Sequence, residues 1–208
     1  MKLRFWQIIC FVCVMLLAKS SAQTTQPYAP QAWSDLVNKV ANQLTEEPAP
    51  ASLRELISDD LPIREFDSNS AQSRYRLQER TSRMKIISTH TYTWPATSIA
   101  ADLATDMHDN EALPEPVRKQ FTPRDDSDMV RANGVAQQWI SGVLQPANGD
   151  CIAVVLMWEH PATTGNPTQT LAPEAKQPLF VLLKAAKIDD DQYRIAQIAY
   201  GDAHQALN

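Results

Sequence analysis

The stretch Cys151-Ile152-Ala153-Val154-Val155-Leu156-Met157-Trp158 decides the fold class. It is apolar on both faces of an extended chain, so it predicts a strand inside a sheet rather than at an edge. Downstream, Leu179 to Ile188 reads as a second strand and Asp189-Asp190-Asp191 as a turn. Tyr193 to Tyr200 is a third strand, with Tyr193, Ile195 and Gln197 alternating against Arg194, Ala196 and Ile198. The short acidic turn makes these last two an antiparallel hairpin. Between the first two strands runs a polar loop from Pro161 to Pro178, with Leu171 its one large apolar side chain. Loops longer than about 12–15 residues are usually functional or disordered, so this one is a candidate contact.

Working upstream, Met84 to Trp94 alternates as a half-buried strand. Met84, Ile86, Ser88, His90, Tyr92 and Trp94 are expected on one face, and Lys85, Ile87, Thr89, Thr91 and Thr93 on the other. Helices surround this strand. Trp33, Leu36, Val37, Val40, Ala41 and Leu44 form one helical face from about Ala32 to Thr45, which Pro48 and Pro50 end. Ser52 is read as the cap of a short helix reaching Asp59-Asp60. Arg74 to Arg83 is read as strand entry. Ser98 caps a helix through His108, with Ile99, Leu103 and Met107 as its stripe. Asp125 to Asp128 supplies acids for the start of a helix carrying Met129, Ala132, Ala136, Trp139, Ile140 and Val143. Gly134 and Gly142 weaken that helix by about 1 kcal/mol each relative to alanine.

This order predicts an α+β domain over residues 32–208: an antiparallel sheet of about four strands, three in a C-terminal meander, against N-terminal and central helices. It is compatible with a cone-shaped sheet wrapped on helices, as in cystatin-like or nuclear-transport-factor-like folds. That analogy rests on element order, and a fold does not fix a function.

The beginning of the chain carries an address. Lys2 and Arg4 precede an apolar run from Phe5 to Ala18, broken only by Gln7, and small residues follow at Ser20 and Ala22. This is the pattern of a secretory signal over residues 1–22, and the apolar run is shorter than the ~20 residues that a bilayer core requires. Cleavage after Ala22 leaves 186 residues beginning with a flexible polar lead-in over residues 23–31, and predicts a periplasmic or secreted protein. An uncleaved signal is the one route to a membrane. Three of the 19 bases leave with the signal and none of the 24 acids, so the net charge falls from -5 to -8. Such a charge disfavours general binding to nucleic acid or anionic lipid. Cys10 and Cys13 also leave, and Cys151 alone cannot form an internal disulfide.

No chemical motif announces an enzyme, a cofactor or a metal. His90, His108, His160 and His204 have no compact ligand spacing. Asp150 beside Cys151 disfavours a reactive thiolate, and the cysteine is read as a small buried hydrophobe. Asp102 and Asp106 stand one helical turn apart and read as a solvated face. With 5 glycines there is little material for phosphate-cradling loops, and no nucleophile elbow, Walker loop or dinucleotide fingerprint is present.

Three functions remain. The leading one is an exported bacterial envelope protein that binds another protein, as an accessory part of an envelope or secretion assembly. Its contact would be a basic strip, Arg74, Arg76, Arg80 and Arg83, flanked by Arg64 and Lys85, whose alternative role is internal pairing with the acids of residues 101–128. The second is a site for a small apolar or aromatic ligand in a curved sheet, lined by His90, Tyr92, Trp94 and Trp158. The third is a hydrolase with a His/Asp site assembled in space around His90.

Overall fold

The computed structural model describes residues 29–46, 51–57, 60–66, 73–82, 84–111, 125–159, 178–189 and 192–202, together with 113, 115 and 118. The signal, most of the lead-in, the loop from 161 to 177, Arg83, His160, His204 and the turn residues Asp190 and Asp191 lie outside the described residues.

The elements run α1 (Gln31–Leu44), α2 (Ala51–Leu56), β1 (Ile63–Glu65), α3 (Ser73–Thr81), β2 (Met84–Thr93), α4 (Ile99–Asp109), α5 (Asp126–Leu144), β3 (Cys151–Glu159), β4 (Leu179–Asp189) and β5 (Gln192–Asp202). The protein is α+β, with one five-stranded sheet in the order β1-β5-β4-β3-β2. The expected C-terminal meander is present, with β3 antiparallel to β4 and β4 antiparallel to β5. The sheet is mixed rather than antiparallel throughout, because β1 adds to β5 in parallel. A three-residue edge strand is too short to show a period of two in the sequence.

Two apolar cores flank the sheet, so helices cover both of its faces. Cys151, Ala153, Val155 and Met157 of β3 meet Trp33, Val37, Val40 and Leu44 of α1, Leu53 of α2 and Leu77 of α3. The alternate β3 residues Ile152, Val154, Leu156 and Trp158 meet Ile99, Leu103 and Met107 of α4 and Ala136, Ile140 and Leu144 of α5. This is why β3 is apolar at every position from Cys151 to Trp158. Each fully buried Leu, Ile or Val side chain in these layers contributes about 1.5–3 kcal/mol. Among the described residues, no helix is long and apolar enough to cross a membrane.

Three local expectations are corrected. Arg74 to Arg83 does not enter a strand, because Ser73, Leu77 and Thr81 form a buried stripe at helical spacing and define α3. Thr81 Oγ1 donates to the carbonyls of Leu44 at 2.8 Å and Leu77 at 2.9 Å, tying the end of α3 to the end of α1. Neither serine caps its helix by a side-chain bond to the backbone. Ser52 lies within α2 and accepts from Gln43 at 2.8 Å, while Ser98 Oγ donates to the Asp102 carboxylate at 2.9 Å. The acids before α5 do act as read: Asp125 accepts from the Asp128 N–H at 2.8 Å. That bond is the main reason its carboxyl lies below the ordinary value of 3.8.

The third correction concerns β2. A register shift between Ile86 and Ser88 breaks its alternation. Met84 and Ile86 pack with the first core, whereas Ser88, His90 and Tyr92 stand opposite Leu156, Val154 and Ile152 of the second. The bulge therefore passes the strand's inward face from one core to the other.

Candidate functional site

The bulge aims two polar side chains of β2 at α4. Two residues of strand advance about 6.8 Å and four residues of helix about 6 Å, so a pair on each element can meet rung by rung. His90 Nε2 is hydrogen-bonded to Asp106 Oδ2. Tyr92 donates its hydroxyl to Asp102 Oδ2 at 3.0 Å, the oxygen that also accepts from Ser98. The His90 and Tyr92 rings stack at 6.1 Å with 25° between their planes. Burial above all, and then the Asp102 charge, push the Tyr92 phenol far above its ordinary value of 10.0. Asp102 and Asp106 are therefore not a solvated face, since each is held by β2.

Of the four residues expected to line a ligand site, His90 and Tyr92 are adjacent, and Trp94 follows at the same end of β2. Trp158 lies elsewhere. Tyr92 pairs with Ile152 and Lys85 with Trp158, which places Trp158 roughly 20 Å further along β3. Tyr92, Trp94 and Trp158 are all buried in the second core.

A carboxylate-oriented histidine is two thirds of a nucleophilic triad. Ser88, on the same face of β2, is the hydroxyl that sequence position offers. Its Oγ is buried and makes no hydrogen bond, to His90 or to any other group. The pair therefore has no activated serine at Ser88. His108 is exposed on α4. Among the described residues, no three His, Cys, Asp or Glu side chains gather as a metal site would need.

The basic strip folds differently from its sequence. Glu65 receives Arg76 at 3.3 Å on one oxygen and Arg80 at 3.4 Å on the other. Arg80 also reaches Asp202, and its guanidinium lies 6.0 Å from the centroid of the Tyr200 ring. Pairing is thus internal for these two arginines, but with Glu65 and Asp202 rather than with the acids of residues 101–128. Arg74 donates to the Ile57 carbonyl at 3.5 Å.

No family model, curated protein or solved structure matches this chain.

Beside the arginines, α3 presents a residue that the charge pattern had hidden. Tyr75 is 70% exposed, between Arg74 and Arg76, and the Arg76 side chain is 47% exposed. A tyrosine on an otherwise charged stretch is visible in the sequence, but its outward aim follows only once α3 is a helix. Ser73, Leu77 and Thr81 take the inner face, leaving Tyr75, Arg76 and Glu79 outside.

Proposed function

We propose that this protein is exported to the bacterial envelope and acts by binding another protein through the outward face of α3. The observation that carries this reading is the exposed Tyr75 flanked by Arg74 and Arg76. Tyrosine and arginine are among the residue types enriched where interface energy concentrates. Glu65 fixes the guanidinium groups of Arg76 and Arg80 before any partner arrives, which lowers the entropy lost on binding. The fitting partner is a protein surface bearing carboxylates, with Arg83 and the loop from Pro161 to Pro178 as further contacts. The net charge of -5 argues against nucleic acid as the partner.

A ligand in the curved sheet has less support, because Trp158 stands apart and helices cover both sheet faces. The cystatin-like or nuclear-transport-factor-like architecture remains an analogy of element order. A hydrolase reading has the His90–Asp106 pair in its favour and an unengaged Ser88 against it. The test is co-purification of the tagged protein from crosslinked envelope, in parallel with a variant carrying Tyr75→Ala and Arg76→Glu. A partner retained by the wild type and lost by the variant supports the proposal. A partner retained by both overturns it.

A further inference from the structure

The outer strands of the sheet are β1, with three residues, and β2, with ten. A long outer strand is a template for another chain unless lysine, proline or a bulge blunts it. In β2, Lys85 and the register shift between Ile86 and Ser88 guard only the first half. From Ser88 to Thr93 the strand pairs with β3 without interruption and carries neither lysine nor proline.

Alternation decides which main-chain groups face outward. The Trp94 N–H donates to the Asp150 carbonyl at 2.8 Å. Antiparallel neighbours bond at every second residue, so Tyr92, His90 and Ser88 also turn their main-chain groups to β3. The opposite edge agrees. There the Ile198 N–H donates to the Pro62 carbonyl at 3.0 Å, and alternation across β5, β4 and β3 assigns Ile152, Val154 and Leu156 to β2. Thr89, Thr91 and Thr93 therefore point N–H and C=O away from the sheet. Among the described residues, no main-chain bond from outside the sheet reaches these three. The strand is held from its two faces. On one, Ser34 Oγ of α1 and Thr91 Oγ1 are 2.7 Å apart, and on the other α4 bonds His90 and Tyr92 through Asp106 and Asp102.

We propose that a second copy of this chain adds to this edge, β2 against β2, antiparallel about a two-fold axis at Thr91. Thr91 then faces its own counterpart and Thr89 faces Thr93, each pair exchanging both main-chain bonds. On one face the cross-strand pairs are threonine on threonine, a favourable combination, and on the other His90 lies opposite Tyr92. No like charges meet, because Lys85 lies outside the paired stretch and Asp102 and Asp106 are engaged by Tyr92 and His90 of their own copy. β1 offers three residues, too few to cover this edge in a head-to-tail contact. The contact is separate from Tyr75, since α3 packs on β1 and the start of β2.

The experiment places single cysteines on the edge of the full chain and oxidises it, with the wild type, carrying Cys10, Cys13 and Cys151, as background. Thr91→Cys is expected to give a covalent dimer, since facing Cα atoms in a bonded pair lie about 5.5 Å apart, within disulfide reach. Thr89→Cys and Thr93→Cys should give none singly and a dimer when mixed, because Thr89 is offset from its own counterpart by four residues, roughly 14 Å. Sedimentation then reads association without added cysteines. Thr91→Pro removes an outward N–H and no bond to β3, and should raise the dimer dissociation constant at least about tenfold, the worth of one lost hydrogen bond. Thr91→Lys, which keeps the N–H, should do the same by setting two like charges opposite each other, with circular dichroism unchanged. A wild type that sediments as a monomer at the crosslinking concentration overturns the proposal. So does a Thr91→Cys variant that forms no dimer, a Thr89→Cys variant that crosslinks to itself as readily as the mixture, or association undiminished by Thr91→Lys.

Discussion

The ring of Phe66 lies over Gly201, in the space that a side chain at Gly201 would occupy. Phe66 then meets Trp139 of α5 edge-on, with centroids 4.7 Å apart. A missing Cβ on β5 thus lets the segment after β1 lean across the sheet onto the second core. Gly201→Ala is expected to destabilise the protein by about 1–3 kcal/mol, the usual cost of overpacking. Adding Phe66→Leu should recover part of that loss in urea unfolding.

The β2–α4 network gives a second prediction. Asp102→Ala leaves the buried Tyr92 hydroxyl without its acceptor and should cost about 1–3 kcal/mol. Tyr92→Phe alone removes the donor while keeping the ring. In a double-mutant cycle, the second substitution should cost much less in the Asp102→Ala background than alone. Additive losses would show that the bond contributes nothing to stability.

Alkaline pH offers a third. Burial, with Glu65 nearby, pushes the Tyr200 phenol up to about 12 from an ordinary 10.0, and Tyr92 is raised further. Both groups are neutral in folded and unfolded chains below pH 10. Above it the unfolded chain ionises first, so their contribution is lost as pH rises through the folded values. Urea midpoints should therefore fall above about pH 10. Tyr200→Phe should reduce that slope while also losing the bond to the Ser73 carbonyl at 2.9 Å.

Gly134 and Gly142 supply a fourth. Both stand inside α5, and a Cβ added at either would meet nothing within 4 Å. Replacement of either by alanine should stabilise the protein by about 0.5–1 kcal/mol, read as a raised urea midpoint.

These results also mark what the sequence could convey. The C-terminal strands are legible because β3 is apolar at every position from Cys151 to Trp158 and the hairpin alternates around a short acidic turn. α3 is not, since its buried stripe is Ser73, Leu77 and Thr81, and hydrophobic patterning does not count serine or threonine as inward. The β2 bulge leaves no mark in composition, yet it decides that Ser88, His90 and Tyr92 share a core without Met84 and Ile86. The His90–Asp106 pair spans two elements, and its one sequence signal is the matched spacing of two polar residues on a strand and two acids on the following helix. Tyr75 needed the helix first, because its exposure depends on which face Leu77 takes.

The central claim concerns the face of α3, and a photo-crosslinking amino acid in place of Tyr75 tests it most directly in the envelope of living cells. The account predicts one reproducible crosslinked partner with an acidic surface, lost when Arg74 and Arg76 are changed to glutamate while the protein remains folded by circular dichroism. No crosslink from position 75, or a partner undiminished by those reversals, would contradict it.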